Sequence, residues 1–206
     1  MKLIRVTLVG DGSSDKLLMP ILETLLDLHC PDAYKLQFAE GIGHGPLNER
    51  LQKAQKLFPC DLLFIHRDSE NRPSSERETE IAEALKQLRP RPASIPVIPV
   101  RMSESWLLID ESAIRGAAGN PTGTMDLKLP SVKAIENIPD PKARLLNCIE
   151  LATNLSARRR RQFNVSAARH RVSELLQDYE NLRKIPSFDQ TEKKIKAHFL
   201  QASLIN

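Results

Sequence analysis

The chain has 206 residues, of which 41% are hydrophobic and 27% charged, a composition typical of globular proteins with one core and a small appended subdomain. No apolar run approaches the ~18 residues of a membrane span. The first apolar run contains Arg5 and lacks a small-residue cleavage site, so we expect neither a membrane segment nor a signal peptide. Cys30, Cys60 and Cys148 are too far apart to indicate a disulfide framework, which predicts a cytoplasmic protein.

The net charge of +4 is distributed unevenly along the chain. Residues 1–130 carry a net charge of −2, whereas residues 131–206 carry +6. A basic excess confined to one part of a chain indicates contact with a polyanion, although a solvated helical surface explains it equally well.

Strands and helices are predicted to alternate four times along the first 120 residues. The predicted strands are residues 3–9, 35–39, 61–66 and 95–101, and each precedes an amphipathic helical pattern. The third has four consecutive apolar residues, as in a parallel strand that is buried on both faces. Pro96 and Pro99 indicate an edge position or an irregular course for the fourth. The order predicts an α/β fold with a doubly wound, mainly parallel four-stranded sheet.

The rest of the chain is predicted to form a loop and then helices. Residues 119–139 are rich in Gly, Pro, Asn and Thr, and Asp140-Pro141 is a typical helix start. We therefore predict an α/β domain over residues 1–120. Residues 121–206 are predicted to be a loop with a basic helical extension.

A glycine-rich segment, residues 41–45, follows the second predicted strand. It lacks the last glycine of the dinucleotide-binding fingerprint, and the chain contains no Gly-Lys-Ser/Thr phosphate loop. The segment is therefore predicted to be a flexible lid or a plain turn.

Acidic residues follow the predicted strands at the edge where open parallel sheets bind their ligands. Asp11 and Asp15 follow the first strand, Asp68 and Glu70 follow the third, and Glu104 follows the fourth. Clustered carboxylates repel one another unless a cation joins them, and oxygen ligands suit Mg²⁺ or Mn²⁺. Such an ion can activate water and stabilise charge on a phosphoryl group. The pattern predicts a metal site.

Three of these acids also have a purely structural explanation. Asp15 is placed to cap the first helix, and Asp68 to cap a turn. Glu104 is placed in the first turn of a helix, where the helix dipole favours an acid.

The most concentrated basic feature is Arg158-Arg159-Arg160-Arg161, which is followed by Arg169 and Arg171. Adjacent arginines can neutralise nucleic-acid phosphates without reading the sequence of bases. They can equally pair with acidic residues of a partner protein or form a solvated face. Nucleic acid is the first of these three hypotheses.

Three segments resemble Toprim-type domains and cover roughly residues 1–120. LVGDGSSDKLLMPIL resembles their first motif, in which a strand ends in an acidic residue and Gly before a Ser/Thr-acidic pair and a helix. LLFIHRDSE resembles their later strand with two alternating acids. IPVRMSESWLLID is similar to a block in a large bacterial Toprim-like family. That family resembles the nuclease half of overcoming-lysogenization-defect proteins, and it often accompanies ATPases in anti-phage defence loci.

The resemblance implies a metal-dependent nuclease or phosphodiesterase that acts on nucleic acid in anti-phage defence. It gives Asp11 the place of the general acid/base, Asp68 and Glu70 the place of metal ligands, and Glu104 a supporting catalytic place. His66 stands where the first alternating acid is expected, and a neutral imidazole is a poor Mg²⁺ ligand. The alternative is a non-catalytic Toprim-like module that docks on an ATPase partner.

Two further families share part of the pattern. Haloacid-dehalogenase phosphatases contain GDGxxD near a C-terminal metal site, after an upstream DxD nucleophile loop, whereas here it opens the chain. Response-regulator receivers have acids after the first strand, but they require a fifth strand with a lysine that this sequence does not show.

Overall fold

A computed structural model describes the backbone of residues 3–205 and the side chains of residues 3–202. Its contacts form two compact units. Met1–Ile98 and Gln190–Asn206 form the first, called the sheet unit here, and Pro99–Asp189 form the second, the helical unit. This grouping differs from the predicted domains at residues 1–120 and 121–206, which remain a prediction.

The sheet unit contains a four-stranded, all-parallel sheet with the strand order β2-β1-β3-β4. The strands are β1 (Ile4–Val9), β2 (Tyr34–Phe38), β3 (Leu62–His66) and β4 (Ala93–Val97). In the register, Leu8 lies opposite Phe38 on one side and Phe64 on the other. The predicted doubly wound parallel sheet is confirmed, and β4 is an edge strand as its prolines indicated.

The sheet buries apolar side chains on both faces because successive residues of a strand point to opposite sides. All five residues of β3 are buried, and the last four residues of β1 are buried too. Val9, Leu63 and Ile65 share one core cluster with residues of the helices that follow β2 and β3. This burial fixes the strand ends, and with them the residues that follow each strand.

The C-terminal helix from Gln190 onward belongs to the sheet unit, whose other helices lie between the strands in sequence. They are α1 (Met19–His29), α2 (Leu47–Leu57) and α3 (Ser74–Leu85), and a 3-10 helix, Ser13–Leu18, precedes α1. Pro20 occupies the first turn of α1, where the missing N–H costs no hydrogen bond. His29 Nε2 lies within hydrogen-bond distance of Glu192 Oε1, at 2.9 Å, inside the same unit.

The helical unit consists of short helices joined by loops. They are α4 (Glu104–Leu107), α5 (Glu111–Ala117), α6 (Pro141–Thr153), α7 (Ala157–Arg160), α8 (Val165–Leu175), α9 (Tyr179–Leu182) and the start of α10 (Pro186–Ile205), with a 3-10 helix at Val132–Asn137. Trp106 is fully buried, donates to Ser187 Oγ at 2.9 Å and meets the Phe188 ring edge-on at 5.3 Å. Asp140 caps α6 as predicted, because its carboxylate accepts from Ala143 N.

Most strand ends lie within two residues of the prediction, but two departures are larger. β4 ends at Val97 and not at residue 101, so Arg101 is not a strand-end residue. The helical pattern that follows the fourth predicted strand forms two helices, because Asp110 adopts an extended conformation and its carboxylate accepts from Ala113 N, which starts α5.

The part of the chain that the structure describes has no helix long and apolar enough to cross a membrane. The three cysteines are free thiols, in agreement with the prediction that they form no disulfide framework.

Candidate functional site

The loop after β1 is closed by the side chain of Asp15. Asp15 Oδ2 accepts from Asp11 N at 2.6 Å and from Gly12 N at 3.2 Å. A Cβ on Gly10 would come within 2.7 Å of the same carboxylate, so only glycine leaves room for this closure. The capping role considered for Asp15 is therefore present.

Two arginines hold the carboxylate of Asp11. Arg50 Nη1 donates to Asp11 Oδ1 at 2.6 Å, and Arg67 Nη1 donates to the same oxygen. Arg50 also donates to the carbonyl of Gly10. The Arg50 side chain is 5% exposed and that of Asp11 41% exposed, so the cluster is buried at Arg50 and open to solvent at Asp11.

The arginines set the ionisation of Asp11. Burial by itself raises the pKa of this carboxyl, but the hydrogen bonds and positive charges of Arg50 and Arg67 outweigh it and hold the pKa below its usual value. The pKa of Arg67 is raised in turn, because attraction to Asp11 and Glu80 exceeds the cost of burial. Asp11 is thus an ionised carboxylate at neutral pH, which suits a base and not a proton donor.

His66 lies between the acids that follow β1 and β3. Its imidazole is 1% exposed, and Nδ1 donates to the carbonyl of Val97 at 3.1 Å. Its Nε2 lies 3.4 Å from Asp68 Oδ1 and 3.9 Å from Asp15 Oδ2. The residue that departs from the Toprim pattern therefore connects the two predicted metal ligands at this edge.

The acids after β3 are held by a third arginine, Arg77. Arg77 Nε donates to the carbonyl of Asp68 at 3.0 Å, and Arg77 Nη2 pairs with Glu70 at 3.2 Å. Arg77 and Arg67 also share Glu80, at 2.8 and 2.9 Å respectively. An alternating chain of guanidinium and carboxylate groups therefore joins Asp11 to Glu70.

These side chains do not fit a metal ion in the arrangement that the structure describes. Among residues 3–202, no group of three or more His, Cys, Asp or Glu side chains could hold one. Asp11 is occupied by two guanidinium groups, Asp15 by backbone N–H groups, and Glu70 by Arg77. Both arginines contact Oδ1 of Asp11, so a metal ion at this carboxylate would have to compete with two guanidinium groups.

Glu104 belongs to the helical unit and is buried there. Its Oε1 lies 2.6 Å from Arg169 Nη1, and both side chains are 6% exposed. The predicted catalytic place of Glu104 stays a prediction. The contact itself explains why an acid occurs at this buried position.

The arginine run of the helical unit is arranged differently. Arg158–Arg160 end α7, Arg161 follows it, and all four side chains are exposed. Within the described residues none of the four forms an ion pair; Arg160 donates only to the carbonyl of Leu155. Arg169 and Arg171, by contrast, pair with Glu104 and Glu174.

Sequence reasoning assigned no role to Arg50, Arg67 or Arg77. A signal was present for Arg50 and Arg77, because each falls on the apolar stripe of its helix, three residues after Leu47 and four before Ile81. A charged residue on such a stripe requires a buried partner. Arg67 directly follows β3, at the ligand-binding edge of the sheet.

Comparison with known proteins gives no match for this chain among protein-family models, curated proteins or solved structures. The Toprim-like resemblance therefore rests on the three quoted segments and stays a prediction.

Proposed function

We propose that this chain binds nucleic acid and acts on its phosphodiester backbone, as a nuclease or phosphodiesterase in anti-phage defence. The observation that carries the proposal is the exposed run Arg158–Arg161, whose guanidinium groups have no carboxylate partner among the described residues. Unneutralised arginines on one short segment attract a polyanion, and phosphate oxygens match the geometry of guanidinium groups.

The edge of the sheet supports the second half of the proposal. Asp11 and Asp15, which follow β1, come together there with Asp68, which follows β3. Arg67 is partly exposed beside Asp11, where its guanidinium group pairs with Asp11 and Glu80 and adds positive charge near a phosphoryl group. Ionised Asp11 can accept a proton from an attacking water, provided that it is released from its arginines.

A cleavage assay tests this function. Labelled single-stranded and duplex DNA and RNA are incubated with the protein in Mg²⁺, Mn²⁺ or EDTA, and the Asp68→Ala variant is measured beside the wild type. We expect cleavage with at least one metal and its loss in the variant. Asp32→Ala is the matched control, because Asp32 precedes β2 at the opposite edge of the sheet. No cleavage in either metal, or full activity after Asp68→Ala, contradicts the proposal.

A second function, a non-catalytic module that docks on an ATPase partner, is favoured by one observation. The carboxylates of Asp11 and Glu70 are already neutralised by Arg50, Arg67 and Arg77. Pull-down from the native host combined with metal titration calorimetry distinguishes the two. A stable complex with an ATPase, together with no heat of metal binding, supports the docking module.

A further inference from the structure

A cavity of about 400 Å³ opens beside Asp11 within the sheet unit. The residues after β1, Gly10 to Ser13, form one wall, and residues 38–44 form the other. The volume lies within the ~300–1,000 Å³ range of small-ligand sites. Asp11 is thus both the centre of the arginine cluster and a wall of a ligand-sized cavity.

Phe38 gives the cavity an aromatic surface. It is the last residue of the edge strand β2 and is partly exposed. The ammonium group of Lys16 lies 5.9 Å from the centre of its ring. A partly exposed ring at the wall of a cavity provides a stacking surface for a planar group such as a nucleobase.

Apart from Phe38, the lining combines polar, acidic and apolar side chains, among them Asp11, Glu40 and Ile42. Ser13 and His44 contribute a hydroxyl and an exposed imidazole, and Gly12, Gly41 and Gly43 leave the backbone uncovered. Glycines without a Cβ let a ligand approach the main chain closely. The glycine-rich segment that sequence analysis predicted to be a lid or turn is therefore also a cavity wall.

A cation lies at the rim of the cavity. Lys53 Nζ is 3.8 Å from the position that a Cβ on Gly43 would occupy, and Gly43 lines the cavity. Lys53 is exposed and forms no ion pair within residues 3–202, whereas Lys16 at the same cavity pairs with Glu40. An uncompensated ammonium group beside a cavity with an aromatic wall suits the phosphate of a bound nucleotide.

We infer that this cavity holds one nucleotide of a single strand, with the base against Phe38 and a phosphate towards Lys53. The inference rests on the proposed function and names its substrate class. A base in a duplex is paired and stacked, so it must be flipped out before it can enter such a cavity. The site therefore takes single strands or strand ends in preference to intact duplex.

Binding of a mononucleotide tests the inference without metal and without cleavage. Deoxyadenosine monophosphate is titrated into the whole protein in EDTA and followed by NMR. Ribose 5-phosphate, which lacks the base, and deoxyadenosine, which lacks the phosphate, are titrated in parallel. We expect the mononucleotide to bind more tightly than either fragment.

Two variants separate stacking from charge. Phe38→Leu should weaken mononucleotide binding by about fivefold or more, whereas Phe38→Tyr, which retains the ring, should not. Lys53→Gln should weaken mononucleotide binding but leave deoxyadenosine binding unchanged. Lys56→Gln is its control, because Lys56 is an exposed lysine of the same helix that lines a different cavity, together with Pro59 and Cys60. Circular dichroism confirms that each variant is folded.

The outcomes separate this inference from the proposed function. If the wild type binds no mononucleotide, or if Phe38→Leu and Lys53→Gln bind it as tightly as the wild type does, the cavity is not a nucleotide site. The proposed function would not be contradicted by that result, because it is tested separately by the oligonucleotide-binding and cleavage assays. If the cavity binds a mononucleotide but duplex and single strands of equal sequence bind equally, the single-strand preference is overturned.

Discussion

The molecule contains two kinds of arginine that sequence alone does not separate. Arg50 and Arg169 are buried, and each pairs with a carboxylate at 2.6 Å. The run Arg158–Arg161 is exposed and has no such pair within the described residues. A buried arginine must be neutralised by its own protein, while an exposed one exchanges water for a ligand at little cost. The first kind therefore stabilises the fold and the second is available for binding.

Buried arginines also take the place of the predicted metal ion at the carboxyl ends of the strands. Each arginine at the sheet edge supplies positive charge to carboxylates that were predicted to receive it from a metal ion. Compensation by arginine leaves Asp11 ionised, but it engages Oδ1 of that carboxylate. Asp11 and Glu70 thus have a positive charge beside them without a metal in this arrangement.

The largest effect is expected from Arg169→Met in the helical unit. The substitution leaves the Glu104 carboxylate buried without its partner, and we expect the free energy of unfolding to fall by about 3–5 kcal/mol. Chemical denaturation followed by circular dichroism measures it. Adding Glu104→Gln to the variant should recover part of the loss. A loss below about 1 kcal/mol would show that this arginine behaves like the exposed ones.

A smaller loss is expected from Arg50→Met. Its partner Asp11 is 41% exposed, so water can solvate the carboxylate that remains, and we expect a loss of about 2 kcal/mol. The same denaturation experiment in an Asp11→Asn background should show a smaller loss, because the charge that Arg50 neutralises is already gone. Equal losses in both backgrounds would exclude a coupling between the two side chains.

The pH dependence of stability tests the state of Asp11. Because its pKa is lower in the folded protein, Asp11 stabilises the fold at pH values above its unfolded pKa of about 3.9. That contribution is lost as the pH falls through the lower, folded pKa. Asp11→Asn should therefore show a shallower loss of stability between about pH 5 and pH 2 than the wild type. Parallel curves would mean that the arginines do not hold this carboxylate in solution.

The smallest effect on stability is expected from replacing all four residues of Arg158–Arg161 with Gln. Each side chain is exposed and without an ion pair in the described part of the chain, so the free energy of unfolding of the fourfold variant should change by less than about 1 kcal/mol in total. Thermal denaturation measures it. A large loss of stability would show that these arginines stabilise the fold, as the buried and paired arginines do.

The sequence predicted the parallel sheet because the burial of β3 and the alternation of elements are local patterns. It also predicted that Asp11, Asp15 and Asp68 lie at one edge, since parallel strands end together. It did not predict the partners of these acids. Arg50 lies 39 residues from Asp11, and which distant side chains meet depends on how helices pack on the sheet.

The end of β4 shows the same limit at the level of the backbone. The apolar pattern continues past Val97 to Ile98 and Val100, which led to a strand predicted up to residue 101. In the structure the edge strand stops at Val97, whose carbonyl accepts from His66 Nδ1 and from Arg67 N. The end of β4 therefore coincides with contacts from the end of the neighbouring strand β3, which the apolar pattern of β4 does not contain.

The salt dependence of oligonucleotide binding tests the central claim most directly. The dissociation constant for a labelled oligonucleotide is measured between 50 and 200 mM salt by fluorescence anisotropy, for the wild type and for the variant with all four arginines of Arg158–Arg161 replaced by Gln. We expect the slope of log affinity against log salt to become shallower by about 3, close to one for each phosphate contact removed. Arg91→Gln, at an exposed arginine of the sheet unit, should change it by no more than about 1. An unchanged slope in the fourfold variant would contradict the claim that this run binds nucleic acid.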